Sequence, residues 1–137
     1  MFQKTISLST HGEGDIVDLT PKLDKLVDDS GIITGILTVF VPGSTAAITT
    51  IEYEDGVLSD FCRALSILAP DDIIYEHDKK WGDGNGRSHV KAALIGPSLT
   101  VPIIENRLGL GTWQQIIFLE LDIRKTRNRS IIVTISG

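Results

Sequence analysis

The sequence predicts an α+β domain, two helices packed against a mainly antiparallel β-sheet, with residues 1–137 forming one unit. Three observations carry this reading. The chain has 137 residues, a length at which one domain buries about two-thirds of its unfolded surface without help from disulfides or metal. Two stretches in the first half carry helical punctuation or helical periodicity. In the second half β-branched runs follow one another without intervening helices, which argues against a doubly wound sheet.

Taken in order, Phe2 to Leu8 loosely alternates apolar and polar residues, as a strand with one inward face does, and THGEG is a polar turn. In LTPKLDKLVDDSG, Thr20 suits an N-cap, Pro21 the first helical position and Gly31 the stop, with Leu23, Leu26 and Val27 as the apolar stripe. Ile33 to Val41 is too short and too β-branched to prefer a helix and reads as a buried strand ending at Pro42 and Gly43. TAAITTIEY supplies the next strand. Leu58, Phe61, Cys62, Leu65 and Leu68 recur at three- and four-residue steps, a second helix that Pro70 stops. Glu76 to Ser98 then opens as a glycine-rich loop. Beyond it HVKAALIG, LTVPII, TWQQIIFLELD and RSIIVTIS read as successive strands, with Pro102 marking an edge or bulge.

Composition narrows the function classes. Hydrophobic residues make up 42% and charged residues 23% of the chain, ordinary usage for a globular protein. The net charge of −5 opposes the basic footprint of a nucleic-acid binder. No apolar run is long enough to span a bilayer, no apolar leader segment is visible, and the single Cys62 cannot form an internal disulfide. A cytoplasmic protein without nucleic-acid or membrane partners is expected. Cys62 lies on an apolar stripe, where a thiol behaves as a small hydrophobe.

The loop EHDKKWGDGNGRSHVKAALIGPS brings two of three histidines, His77 and His89, to either side of a Gly, Asp and Asn cluster. Counted from Asp83, an EF-hand needs Gly at its sixth position and Glu at its twelfth, where Ser88 and Leu94 stand. The glycine pattern of a dinucleotide fingerprint and the P-loop are also absent. The His77 to His89 spacing matches no short helical zinc motif. The two imidazoles therefore either brace the loop or serve as ligands or general acid/base groups. His11 lies in a polar turn and is expected in solvent. Glu52 ends a strand, where a carboxylate facing a cleft can hold Mg²⁺ through water. RKTRNR, Arg124 to Arg129, is the dense basic cluster and reads as a solvated hairpin tip or an anion or partner site. Trp113, after GLGT, is either core or the apolar wall of a pocket in which Gln114 orients a ligand.

Together GSTAAITTIE (Gly43 to Glu52), YEHD (Tyr75 to Asp78), SHVKAALIGPSLTVP (Ser88 to Pro102) and NRLGLGTWQQI (Asn106 to Ile116) resemble the YjbQ family, also labelled the secondary thiamine-phosphate synthase family. The resemblance covers nearly the whole chain. It implies a small α+β fold assembled as a homotrimer, with clefts near subunit boundaries and His77 and His89 in one pocket. The implied reaction joins an aminopyrimidine methyl pyrophosphate to a thiazole phosphate and expels pyrophosphate. On that resemblance His77, His89 and Glu52 are catalytic candidates, with His77 and His89 as ligands of a divalent metal, Mg²⁺ or Zn²⁺. Arg87, Lys91 and Arg107 become anion contacts, Glu52 and Asp83 Mg²⁺ contacts, and Trp113 a ring wall. Thr49, Asn85 and Gln114 complete the contacts to a small phosphorylated metabolite. Many relatives have His-Thr where this chain has Gly43 and Ser44. A zinc site here would then need a carboxylate, water or a neighbouring subunit beside the two histidines. The alternative is a non-catalytic trimeric protein that captures a small anionic metabolite or a metal.

Overall fold

The structure, a computed structural model, describes residues 1–137. It has eight strands and four helices: β1 (Phe2–Thr10), β2 (Ile16–Asp18), α1 (Thr20–Ser30), β3 (Gly35–Phe40), β4 (Ala46–Ile51), α2 (Asp55–Leu68), α3 (Glu76–Trp81), α4 (Gly86–Ile95), β5 (Ser98–Ile104), β6 (Arg107–Leu108), β7 (Gln115–Glu120) and β8 (Arg127–Ser136). All strand pairings are antiparallel, in a five-stranded sheet ordered β1-β8-β3-β5-β6 and a three-stranded sheet ordered β2-β7-β4. The α+β class holds. The number of helices is four rather than two, because Glu76 to Ile95 is a pair of helices instead of a loop and a strand.

The two sheets face each other across one core. Leu37 and Val39 of β3, Val101 and Ile103 of β5 and Ile131, Val133 and Ile135 of β8 meet Ile48 of β4 and Ile116 and Phe118 of β7. α1 closes this core with Leu23, Leu26 and Val27, the stripe expected from its spacing. Gly31 ends α1 in the left-handed region at φ 67°, where glycine avoids the Cβ penalty. Leu19 rather than Thr20 occupies the cap position, because Thr20 Oγ1 accepts the Ile116 N–H at 2.8 Å and ties α1 to β7.

The second face of the small sheet carries α2 and α4, through Ala47, Leu65, Ala92, Leu119 and Leu121. β7 is thus covered on both faces by its own chain, which accounts for its unbroken apolar run. β3 differs. Its outward Ile36 and Phe40 remain exposed. Pro102 sits where β5 is open to the edge side: its carbonyl accepts the Gly109 N–H, and the missing proline N–H leaves the β3 ladder intact. No helix is long and apolar enough to cross a membrane.

HVKAALI looks like a strand because Val90, Ala92 and Leu94 alternate, yet it is helical. Ser88 and Ala92 lie buried against β4 while Val90 and Leu94 are exposed. The buried face is built from small residues, so it leaves a weak apolar period, and tertiary packing decides the conformation.

Candidate functional site

α3 and α4 meet at a joint made by local polar contacts. Gly82 and Gly84 take positive φ values of 66° and 74°, which lets the chain reverse within Gly82 to Asn85. Asp78 Oδ1 accepts the Gly86 N–H at 2.9 Å, and Asp83 Oδ1 accepts the Asn85 N–H at 3.0 Å. The Asn85 carbonyl then accepts the N–H groups of Ser88 and His89, opening α4. Gly86 packs so closely that a Cβ there would lie 2.5 Å from Tyr75 Cβ.

This joint brings His77 and His89 together, with ring centroids 4.6 Å apart and planes tilted by 45°. His77 Nδ1 lies 3.3 Å from Asp78 Oδ1 and 3.5 Å from Asp83 Oδ1. The three residues can offer one ligand atom each within a 4.8 Å span. Neighbouring donors on a tetrahedral ion with bonds of about 2.1 Å are separated by roughly 3.4 Å, so one imidazole nitrogen and two carboxylates fit a small divalent ion. His89, expected as the second imidazole ligand, is not in this group; it lies instead beside Gly43 and Ser44. These two residues line a hollow of about 260 Å³ together with His89, Ala92 and Pro97.

Asn85 is not a ligand contact in this arrangement but an anchor. It is buried, donates from Nδ2 to Asp122 Oδ2 at 3.3 Å, and accepts from Ser88 Oγ and the Ile123 N–H through Oδ1. Asp122 also accepts from Thr45 Oγ1 and from Arg127 Nη1 at 2.6 Å. Next to it Glu120, with no exposed surface, accepts from Arg129 Nε at 2.9 Å, from Arg129 Nη2 and from Thr10 Oγ1 at 2.6 Å. Burial pushes the Glu120 carboxyl upward, but the hydrogen bonds from Arg129 and Thr10 outweigh it, so its pKa falls below the ordinary range. Asp122 is likewise lowered: burial opposes, while the Arg124 N–H, Thr45 and Asn85 prevail.

The reading of RKTRNR as a solvated tip is therefore corrected for two of its members. Arg127 and Arg129 are drawn inward by buried carboxylates, while Arg124 remains exposed. The signal was present in the strand period. Arg129 is in phase with Ile131, Val133 and Ile135 on β8, and Glu120 with Ile116 and Phe118 on β7, so two opposite charges were already assigned to one interior.

The remaining site candidates do not converge on the histidines within one chain. Arg87 is on the other flank of α4, held by Glu13 through Nε at 2.8 Å and Nη2 at 3.1 Å, and Lys91 lies beneath it. Glu52 and Trp113 line a separate hollow with Tyr53 and Thr112, and Trp113 is 72% exposed, so it is not core. Arg107 lines a third hollow, of about 510 Å³, beside Asp24 and Asp28. Thr49 borders a fourth, and Gln114, which accepts the Gly111 N–H, lies between the third and fourth. Glu52 is not in the group that Asp83 forms with His77 and Asp78, and the hollow that Glu52 lines does not include Asp83.

The family profile described as "UPF0047 protein YjbQ-like" matches residues 4–137. The chain belongs to the YjbQ/UPF0047 family. Among YjbQ-family relatives, a UPF0047 protein of Methanothermobacter thermautotrophicus is 39% identical over 137 residues, covering 100% of this chain and 93% of the relative. The YjbQ protein of Salmonella typhimurium is 35% identical, with 99% and 98% covered. A YjbQ/UPF0047 crystal structure from Clostridium acetobutylicum superposes with a TM-score of 0.84 at 35% identity, covering 96% of this chain and 99% of that one. A hypothetical protein from Aeropyrum pernix gives 0.89 at 28% identity, with 100% and 99% covered. Family and fold thus agree with the resemblance carried by the four motifs.

Proposed function

We infer that the His77/His89 joint is a divalent-metal site at which a small phosphorylated substrate is handled, with thiamine-phosphate synthase-type displacement of pyrophosphate as its reaction. The observation that carries this is the apposition of two imidazoles at 4.6 Å beside Asp78 and Asp83. His77, Asp78 and Asp83 would hold the ion, whose chemistry is charge stabilisation at phosphoryl oxygens. His89, half-buried and lining the hollow by Gly43 and Ser44, is available to hold or move a proton at its ring nitrogen.

A homotrimer belongs to the same proposal. Ile36 and Phe40 on the outer sheet face, and Leu68, Ile74, Trp81 and Leu94 on the helical side, are exposed apolar groups of the kind that subunit contacts cover. A neighbouring copy would bring the dispersed Glu52, Arg107 or Trp113 toward the joint. Capture without turnover is the second reading. It is favoured by the direction of Arg87 and Lys91, which face Glu13 instead of the histidines.

The test is product formation from the pyrimidine pyrophosphate and the thiazole phosphate with Mg²⁺ or Zn²⁺, at matched oligomeric state. Turnover in wild type, reduced by about 10²-fold or more in His89→Ala, is the expected result. Equal rates in both proteins would remove chemistry from the joint. Saturable stabilisation by substrate without product would leave capture as the function.

A further inference from the structure

Ser44 and His89 line one hollow, although they reach it from distant parts of the chain, the segment before β4 and the first turn of α4. The packing between these elements uses small groups. Ala46, Ala92 and Ala93 keep them close but make few interlocking contacts, so they set a separation more firmly than a register. A buried polar bridge underneath supplies the register. Thr45, 6% exposed, donates through Oγ1 to Asp122 Oδ2 at 3.1 Å and accepts at the same oxygen from Arg129 Nη2 at 2.9 Å. Asp122 Oδ2 also accepts from Asn85 Nδ2 at 3.3 Å, and the Asn85 carbonyl accepts the His89 N–H.

Two walls of the hollow are thereby tied to a single carboxylate oxygen. Arg129 supports the Thr45 side from behind: its Nη2 also donates to the Thr45 carbonyl at 3.2 Å, and a Cβ on Gly43 would lie 3.0 Å from its Nη1. A hydroxyl can give a hydrogen to a carboxylate and take one from a guanidinium at one atom, and a methyl can do neither. In Thr45→Val, Asp122 keeps Asn85 and Arg127, and Arg129 keeps Glu120, so both buried pairs persist while the link from β4 to Asp122 is cut. We propose that Thr45 is a positioning residue whose hydroxyl fixes the Gly43 and Ser44 wall against His89, and which, given the proton-handling part assigned to His89 above, governs turnover as well as stability.

The test compares Thr45→Val with Thr45→Ser in two readouts. The first is the ring Hε1 resonance of His89 in the metal-free protein at fixed pH, assigned by its loss in His89→Ala. Thr45→Val should shift it, and Thr45→Ser, which keeps the hydroxyl, should leave it at the wild-type position. The second is kcat with the pyrimidine pyrophosphate and the thiazole phosphate. It should fall about 10-fold or more in Thr45→Val with KM little changed, since a misplacement of about 1 Å can cost roughly 10²-fold, and recover in Thr45→Ser. Absence of turnover in wild type would sink the reaction assigned above, while the resonance alone still decides the placement of His89. An unmoved resonance in Thr45→Val, or equal shifts in both variants, would overturn the proposal and leave the hydroxyl as a stability contact only. Should Thr45→Val not fold, Thr45→Cys, a weak donor of similar size, should shift the resonance in its place, and a wild-type position there would be equally fatal.

Discussion

Arg129→Met should lower the melting temperature by roughly 10–20 °C. The substitution removes the guanidinium from Glu120, whose carboxylate has no exposed surface, and breaking a buried pair from one side costs about 3–5 kcal/mol. For a domain of this size each kcal/mol corresponds to roughly 3–5 °C. Arg129 also donates through Nη2 to the Thr45 carbonyl and hydroxyl, so β4 loses an anchor in the same step. Replacing both partners, as Arg129→Met with Glu120→Leu, should recover much of the loss, because the uncompensated charge is gone.

The pH dependence separates this explanation from general damage to packing. In wild type the Glu120 pKa is depressed, so its contribution is complete above the unfolded value of about 4.3 and is lost as pH falls through the folded value. Asp122, also depressed, adds to the same acid limb. In Arg129→Met, burial without the partner raises the Glu120 pKa, and acidification relieves the strain instead. Melting curves from pH 7 down to pH 4 should therefore stay level for wild type and rise for the variant. Parallel curves would refute the buried pair as the source of stability.

Gly86→Ala is the second substitution with a large expected effect. The new methyl would lie 2.5 Å from Tyr75 Cβ, 2.8 Å from Cγ and 3.2 Å from Asp78 Oδ1. Relief requires the start of α4 to move off α3, which also lengthens the bond from the Gly86 N–H to Asp78. Overpacking of this kind costs about 1–3 kcal/mol. Its sharper consequence is at the joint, where His77, Asp78 and Asp83 depend on that contact for their spacing. For the metal site proposed above, zinc affinity by calorimetry should fall by about 10-fold or more, the range produced by disturbing groups that orient metal ligands. A lower melting temperature with unchanged zinc affinity would mean that the cluster does not rely on the packing of α3 on α4.

Much of the scaffold was legible because it rests on strong local signals. Pro21 and Gly31 bracket α1, the Leu58 to Leu68 period marks α2, and Ile131, Val133 and Ile135 alternate along β8. α4 was not legible, since Ser88 and Ala92 are too small to write a period and Lys91 hides a buried position under a polar name. β2 and β6, with three and two residues, are too short for any alternation to stand out. At the site, the pairing of His77 with His89 was implied by the resemblance to the YjbQ family, not by residue spacing, whereas the part played by Asp78 emerged only once α3 turned its carboxylate onto the N–H of Gly86. The dispersal of Glu52, Arg107 and Trp113 is a matter of which strand ends point where, which residue types do not encode.

β8 lies between β1 and β3 in the large sheet, and Phe2 stands opposite Ile135. β1 therefore has no neighbour until β8 is available. Until Arg127 to Ser136 has emerged, β1 and β3 cannot be bridged, and the inward faces of β4 and β7 have only part of a partner sheet. Folding of this domain is thus expected to wait for β8, on the slower time scale of domains dominated by distant pairings. A nascent chain stalled before β8 would present its apolar strands to chaperones.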